Sequence, residues 1–472
     1  MNTNENDSLF RSLSQLGIDL TDEQCKRIEE KINEKLTYTA KIGVMGKTGA
    51  GKSSLCNALL GRDACPINPV SACTRDIQEE LLKIGNNGLV LVDVPGVGES
   101  DERNKEYAEL YNRLLPELDL ILWTVKSDDR ALVTDEIFYR NLIKQYAAEG
   151  KPVVFAVTQS DKLGTRKDWY SGTIAENVKS KIEAKRISIT NTFGIDIDNV
   201  IAVSVFESYN LDLLVERIVE LLPNEQVISL CKNVDIQHIS DETKAAAIDA
   251  ATYMVAEILE DNNIVPETNK FSQFVQKITD YAINGVGMLK PAAAFAEEYR
   301  YYSNDIDRNV DKLIQNQCTK DAINGFVTGV GGLITLPIAL PVDMSTSWII
   351  QARMSAAIAY LYGHDINEDS VRTFIMASLL GDSVKEILKD AGVKIGQNVA
   401  KNLIKKIPVK VLDQINKKIG FILLTKGGSK GIIKLTKLVP VVGGLIGAGF
   451  NVVATRKIGK KAKELFKNIE FE

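Results

Sequence analysis

The feature that most restricts this chain is the run Gly46-Lys47-Thr48-Gly49-Ala50-Gly51-Lys52-Ser53, which fits GxxxxGK[ST] at every fixed position. Glycines at this spacing let the backbone curl until successive N–H groups face one point, and a helix starting behind them aims its positive end there too. A polyphosphate is the natural guest. The nest also dictates its surroundings, because it has to join a buried strand to a helix. Its flanks comply: Lys41-Ile42-Gly43-Val44-Met45 is a short apolar run, and Ser53 to Leu60 has helical patterning.

Further short apolar runs follow at Leu89–Val92, Leu120–Trp123, Val153–Val157 and Val200–Val203, with helix candidates at Lys105–Leu115, Asp135–Ala148 and Leu211–Leu222. Such runs read as parallel strands buried on both faces. The alternation predicts an α/β fold with a doubly wound, mainly parallel sheet and a ligand at the carboxyl ends of its strands. This domain is expected over 38–222, behind a helical prefix at 1–37 in which Thr21 and Gln24 form a capping box. After Pro223 the strand signal stops, and an all-α region is expected: connecting helices over 223–320, then an apolar and basic helical domain over 321–472. The six cysteines include no CxxC pair, which argues against a zinc site or a disulfide framework and for a reducing compartment. The polar, acidic start of the chain is unlike a secretory leader, so a cytoplasmic location is expected.

Chemistry can be assigned to the nest. Lys52 should reach the β and γ phosphates, and the Ser53 hydroxyl should ligate Mg²⁺, with Ser54 extending the nucleotide-binding stretch. Asp93-Val94-Pro95-Gly96 has the DxxG arrangement, placing a carboxylate near Mg²⁺ and a flexible glycine near the γ-phosphate. Thr74, within Pro69 to Arg75, is the candidate to complete the Mg²⁺ shell and act in catalysis, with Ser71 as its competitor. The base is addressed by Thr158-Gln159-Ser160-Asp161-Lys162, where Asp161 can accept from guanine N1 and N2, donors that adenine lacks in that arrangement. Gln159 stands where guanine-specific sites usually carry Lys, and that removes an aliphatic stem from the base. Ser204 follows an apolar run and can turn a backbone N–H toward guanine O6. GTP or GDP is therefore the expected ligand.

With these motifs in order, the stretch from Lys41 to Leu222 resembles the Era-like GTPases of the translation-factor-related class, through GKTGAGKSSLCNAL, ACTRD and DVPGVGES. The resemblance implies a Mg²⁺-dependent GTP hydrolase. Val97 follows the DxxG glycine where many such enzymes carry Gln, so slow intrinsic turnover is expected, with stimulation by self-association or an activating protein. Gly49 stands where potassium-activated relatives carry Asn, so no potassium stimulation is expected. From Asp321 to Phe466 the chain is similar to the EcsC family, through Leu336 to Asp343, Tyr362 to Asp365, Asn416 to Gly420, Leu438 to Gly444 and Ile458 to Lys463. That similarity implies a helical, membrane-associated module and no agreed catalytic site. His364 beside Gly363 reads as a helix end.

Charge divides the chain. Residues 391–472 hold 16 Lys and one Arg against one Asp and three Glu, a balance of +13 within an overall −5. Three partners fit a basic end: anionic lipid, nucleic acid, or the protein's own acidic part. Lys401, Lys405, Lys406, Lys410, Lys417 and Lys418 interleave with Ile404, Ile407, Val411 and Ile415, a pattern suited to an anionic membrane face. The uncharged stretch Ala322–Val342 has the length of a membrane span but is interrupted by glycines and by Pro337 and Pro341, so it reads either as re-entrant or as a buried hairpin. The leading expectation is a switch held on the inner face of the cell membrane, and the alternative is an RNA- or ribosome-binding GTPase, although no RNP aromatic motif is present and the helical C-terminal region does not look like a KH module with its GxxG loop.

Overall fold

A computed structural model of the chain describes residues 21–37, 40–47, 49–61, 89–94, 115–129, 132–148, 150–172, 174–261, 268–286, 289–323, 342–392, 407–427 and 448–467. Two compact units emerge, one spanning Leu36–Thr243 and the other combining Met1–Lys35 with Lys244–Glu472. The first helix, α1 (Asp22–Thr37), opens with the expected box: the Thr21 amide donates to Gln24 Oε1 at 2.9 Å and the Gln24 amide to Thr21 Oγ1 at 3.3 Å.

Among its described residues the Leu36–Thr243 unit has five parallel strands, β1 (Ile42–Lys47), β2 (Leu89–Val94), β3 (Leu120–Lys126), β4 (Val153–Thr158) and β5 (Val200–Ala202), in the order β2-β1-β3-β4-β5. Side chains of β1, β3, β4 and β5 are buried almost throughout, which is why these segments are continuous apolar runs without polar alternation. Chain order reverses direction at β1: β2 lies on one side of it and β3 on the other. A crevice for ligands opens at the carboxyl ends beside such a reversal. The helices are α2 (Lys52–Leu60), α3 over 133–148, α4 (Glu176–Phe193), α5 (Leu211–Leu221) and α6 (Asn224–Asn233). Within α3 a π-helical segment, Tyr139–Ile143, interrupts the α-helix. It places the Tyr139 ring in an aromatic cluster at 5.6 Å from Phe155 and 5.3 Å from Phe193, with Trp123 adjoining.

The other unit is helical: α1, α7 (Asp241–Asp261), α8 (Thr268–Asn284), α9 (Ala292–Arg300), α10 (Ile306–Ile323), α11 (Val342–Leu361), α12 (Asp369–Ser378), α13 (Val384–Asp390), α14 (Val409–Gly427) and α15 (Ala448–Lys467). From Trp348 onward α11 is buried on every side and packs against α8, α9, α12 and α15, which accounts for its Ala-rich, almost uncharged sequence. Its one guanidinium there, on Arg353, lies over the Phe295 ring with 4.4 Å to the centroid. His364 is buried, and its Nε2 lies 2.8 Å from the Phe466 carbonyl oxygen; Gly363 before it has φ +87°, the helix-end geometry expected from the sequence.

Compared with the divisions expected at 38, 223 and 321, the contacts move α6 and the turn behind it into the nucleotide unit. The reason is visible in hydrogen bonds: the Ala40 amide donates to Ser229 Oγ at 3.0 Å, and the Asp235 amide to the Leu59 carbonyl at 2.7 Å. Likewise α1 joins the helical unit, with Lys35 Nζ 2.8 Å from Glu257. The helix candidate Lys105–Leu115 and the stretch Ala322–Val342 lie almost wholly outside the described residues. Among the described residues, no helix is long and apolar enough to cross a membrane.

Candidate nucleotide-binding site

The loop between β1 and α2 is shaped by what β3 allows. Gly46 has φ +146°, and a Cβ there would lie 2.2 Å from Thr124 Oγ1 and 2.4 Å from the Thr124 carbonyl oxygen, so only glycine lets the chain leave β1 this close to β3. Gly51, at φ +84°, turns the chain into α2 at its N-cap. Between them the Ala50 amide donates to the Lys47 carbonyl at 3.1 Å. Lys52, in the first turn of α2, reaches back across the loop and donates to the Gly46 carbonyl at 2.6 Å and the Lys47 carbonyl at 3.0 Å. Its ammonium therefore sits where the curled backbone and the helix N-terminus converge, as the sequence requires. Ser53 and Ser54 follow in the same turn, and Thr48 lies outside the described residues.

On the neighbouring strand, Asp93 pairs in register with Gly46 and Val94 with Lys47. A carboxylate residue at the end of β2 thus falls beside the strand that leads, through the loop, to the hydroxyl residue Ser53, at the carboxyl end of the sheet. These are hard oxygen donors, and together with phosphate oxygens they suit Mg²⁺ better than a softer metal. Gly96, Thr74 and its competitor Ser71 lie outside the described residues.

Base recognition falls on two loops that the fold brings together. At the end of β4, Thr158 donates through Oγ1 to the Ala50 carbonyl at 2.6 Å, tying this strand end to the phosphate loop. Gln159 holds a left-handed backbone, φ 54°, and donates through Nε2 to the Gly49 carbonyl at 3.2 Å, while Lys162 Nζ donates to its Oε1 at 2.5 Å. No motif signals this role: Gln159 bridges base loop to phosphate loop through its amide, which a lysine could not do in both directions. Asp161 accepts from Ser204 Oγ at 2.6 Å. Ser204 is fully buried and accepts from the Glu207 amide at 3.2 Å, so the hydroxyl that holds Asp161 is itself fixed. The Val205 and Phe206 amides, next in the chain, make no hydrogen bond within the described residues.

Lys47 makes contacts that the motif does not foretell. Its Nζ lies 2.6 Å from Asp135 of α3 and 3.3 Å from Asp129 in the loop after β3. Burial would lower the Lys47 ammonium, but Asp135 and Asp129 outweigh it and raise the group overall. Burial pushes the Asp135 carboxyl up, against the pull of Lys47. In the sequence Asp135 is simply the first residue of a helix candidate, and only the fold reveals its pairing with the phosphate loop.

A family model described as 50S ribosome-binding GTPase matches residues 41–159, and the model of the EcsC protein family matches 224–468, more than half of the chain. The chain belongs to the EcsC protein family. The EcsC match starts just after Pro223, well upstream of the motifs that carry the resemblance in the sequence. In front of it stands an Era-like GTPase domain. YfjP of Escherichia coli K12 is 44% identical over 200 residues, which cover 42% of this chain and 68% of YfjP. GTPase Era of Thermoanaerobacter sp. X514 is 28% identical over 183 residues, covering 39% of this chain and 54% of Era. Among solved structures, Aquifex aeolicus Era bound to GDP and AlF4− is similar over 46% of this chain and 67% of that one, with 21% identity and a TM-score of 0.28.

Proposed function

We propose that this EcsC-family chain is a GTP-hydrolysing switch, slow by itself and stimulated by self-association or an activating protein. The observation that carries the reading is the Ser204–Asp161 hydrogen bond of 2.6 Å beside an intact phosphate loop, because it pre-sets a carboxylate where only guanine offers N1–H and N2–H together. Lys52 would move from the loop carbonyls to the phosphates, Ser53 and Asp93 would hold Mg²⁺, and the Val205 and Phe206 amides would donate to guanine O6. Thr74 is proposed as the residue that completes the metal shell. The test is calorimetry of the full chain with GDP and with ADP in magnesium. Asp161→Asn should weaken GDP at least about a hundredfold, by leaving donors facing donors, and should favour a xanthine nucleotide, whose C2 carbonyl can accept from the new amide. Unchanged guanine preference in that variant would sink the reading.

We further propose that the helical unit brings the switch to an anionic membrane on the cytoplasmic side. Support comes from Lys410 and Lys417, exposed on α14, and from the basic excess of residues 391–472. Lys401, Lys405 and Lys406 lie outside the described residues. Flotation of the full chain with phosphatidylserine vesicles, in GDP and in a GTP analogue, tests this; absence of binding in both removes it. A second reading, ribosome or RNA binding, is favoured by the description of the family matched at 41–159 and by the likeness to Era. Steeply salt-dependent binding to ribosomal RNA would establish it in place of the membrane.

A further inference from the structure

Gln159, Ser208 and Asn210 are the non-glycine residues with left-handed backbone among the described residues, and all lie on the two loops joined by the Ser204–Asp161 hydrogen bond. Backbone strain of this kind persists where surrounding structure enforces it, and it concentrates at functional sites. In the second loop the strain has a visible product. Ser204 and Tyr209 exchange backbone hydrogen bonds of 3.2 and 2.9 Å, closing a tight turn over 205–208. The Tyr209 ring stands edge-on to Trp169 at 5.2 Å and anchors the foot of the turn. Held up by this turn is Phe206, 77% exposed, more than any other large apolar side chain described in the nucleotide unit.

Gln159 commits its side chain to Gly49 and Lys162 and so lays no apolar stem on a base. From these observations we propose that Phe206 is the apolar wall of the base site, its ring lying against the guanine and shielding the Asp161 hydrogen bonds from water. The proposal deepens the guanine-nucleotide reading and rests on it. Reach is sufficient: Phe206 is two residues from Ser204, a span of about 7 Å at most along the backbone, and Ser204 touches Asp161 directly. Stacking engages any purine face, whereas hydrogen bonding to Asp161 selects guanine. The ring therefore contributes affinity and residence time, and the carboxylate contributes selectivity.

The full chain with mant-labelled GDP separates these roles, since the label sits on the ribose and leaves the base face clear. Phe206→Ala should release mant-GDP about tenfold faster and bind it about tenfold more weakly, with an unchanged ratio of GDP to ADP affinity. Phe206→Tyr should restore both. Without nucleotide, the melting temperature of Phe206→Ala should equal that of the unmodified protein, and only the rise on adding GDP should shrink. Unchanged mant-GDP affinity and release in Phe206→Ala would overturn the proposal, and so would an altered state of self-association with nucleotide affinity intact. Loss of the GDP to ADP preference in Phe206→Ala alone would also overturn it. If the unmodified chain shows no guanine preference, the guanine reading itself fails, and this wall with it.

Discussion

At the scale of single residues, the phosphate loop is more than its motif. Lys47 holds Asp135, whose side chain is 3% exposed, and Asp129 beside it. Removing one partner of a buried pair leaves a charge without compensation, which costs about 3 kcal/mol. Lys47→Met should therefore lower the urea midpoint markedly even without nucleotide, and adding Asp135→Asn in the same chain should recover most of the loss. Recovery in the double variant is the informative measurement, since a phosphate-binding role for Lys47 would give no such rescue. Lys52, Asp161 and Ser204 are legible in the sequence because fixed chemistry demands those residue types at those strand ends. Gln159 as a bridge and Phe206 as an exposed ring are not. Neither follows from spacing: the first depends on a left-handed backbone, and the second on a turn closed by residues on either side. A phenylalanine in a loop two residues after Ser204 is the available signal.

Among elements, β1 and β3 approach so closely that Gly46 becomes a structural requirement. Gly46→Ala would place a methyl group against both the hydroxyl and the carbonyl of Thr124 in a backbone region that side chains avoid, at a cost of about 3 kcal/mol. Thermal melting should show the loss, and adding Thr124→Ala should not cure it, because the carbonyl oxygen remains 2.4 Å away. Strands β1, β3, β4 and β5 are legible to within a few residues, since burial on both faces leaves a short uninterrupted apolar run whose length favours a strand over a helix. Helix α4 is not: only Val178, Ile182, Ile189 and Phe193 of its 18 residues are buried, a stripe too sparse to read among lysines and glutamates. Helix α14 is legible as basic but not in its orientation. Its Leu412, Ile415, Ile419 and Leu423 are buried within the helical unit, so these apolar residues serve its core.

For the molecule as a whole, part of the charge asymmetry visible in the sequence is answered from within: five lysines of the basic end, Lys418, Lys457, Lys461, Lys463 and Lys467, have acidic partners among the described residues. Lys457 lies 3.0 Å from Asp382 and 3.5 Å from Asp249, Lys461 lies 3.2 Å from Asp382 and 2.5 Å from Glu464, and Lys463 and Lys467 pair with Asp311 and Asp307. Lys418 pairs with Asp390 at 2.6 Å. Of the three partners open to a basic end, the acidic side of its own unit is engaged for these lysines. Burial alone would raise the Asp382 carboxyl, yet Lys457 and Lys461 hold it far below the usual carboxylate range. Glu464 is likewise lowered, burial being outweighed by Lys461 and Lys385. Because these folded values are depressed, their stabilisation is complete above the unfolded value of about 4 and is lost as pH falls below it. The melting temperature should stay nearly level from neutral pH to about 5 and then drop, and Asp382→Asn should flatten that drop while lowering the plateau.

Helix α1 carries buried Ile28 and Ile32 and belongs with the helices beyond residue 243, so the whole of 36–243 is inserted between pieces of one core. During vectorial synthesis the inserted α/β unit emerges as an unbroken stretch and is free to fold at once. Helix α1 must wait, its apolar stripe uncovered, until the ribosome has delivered the partners it needs.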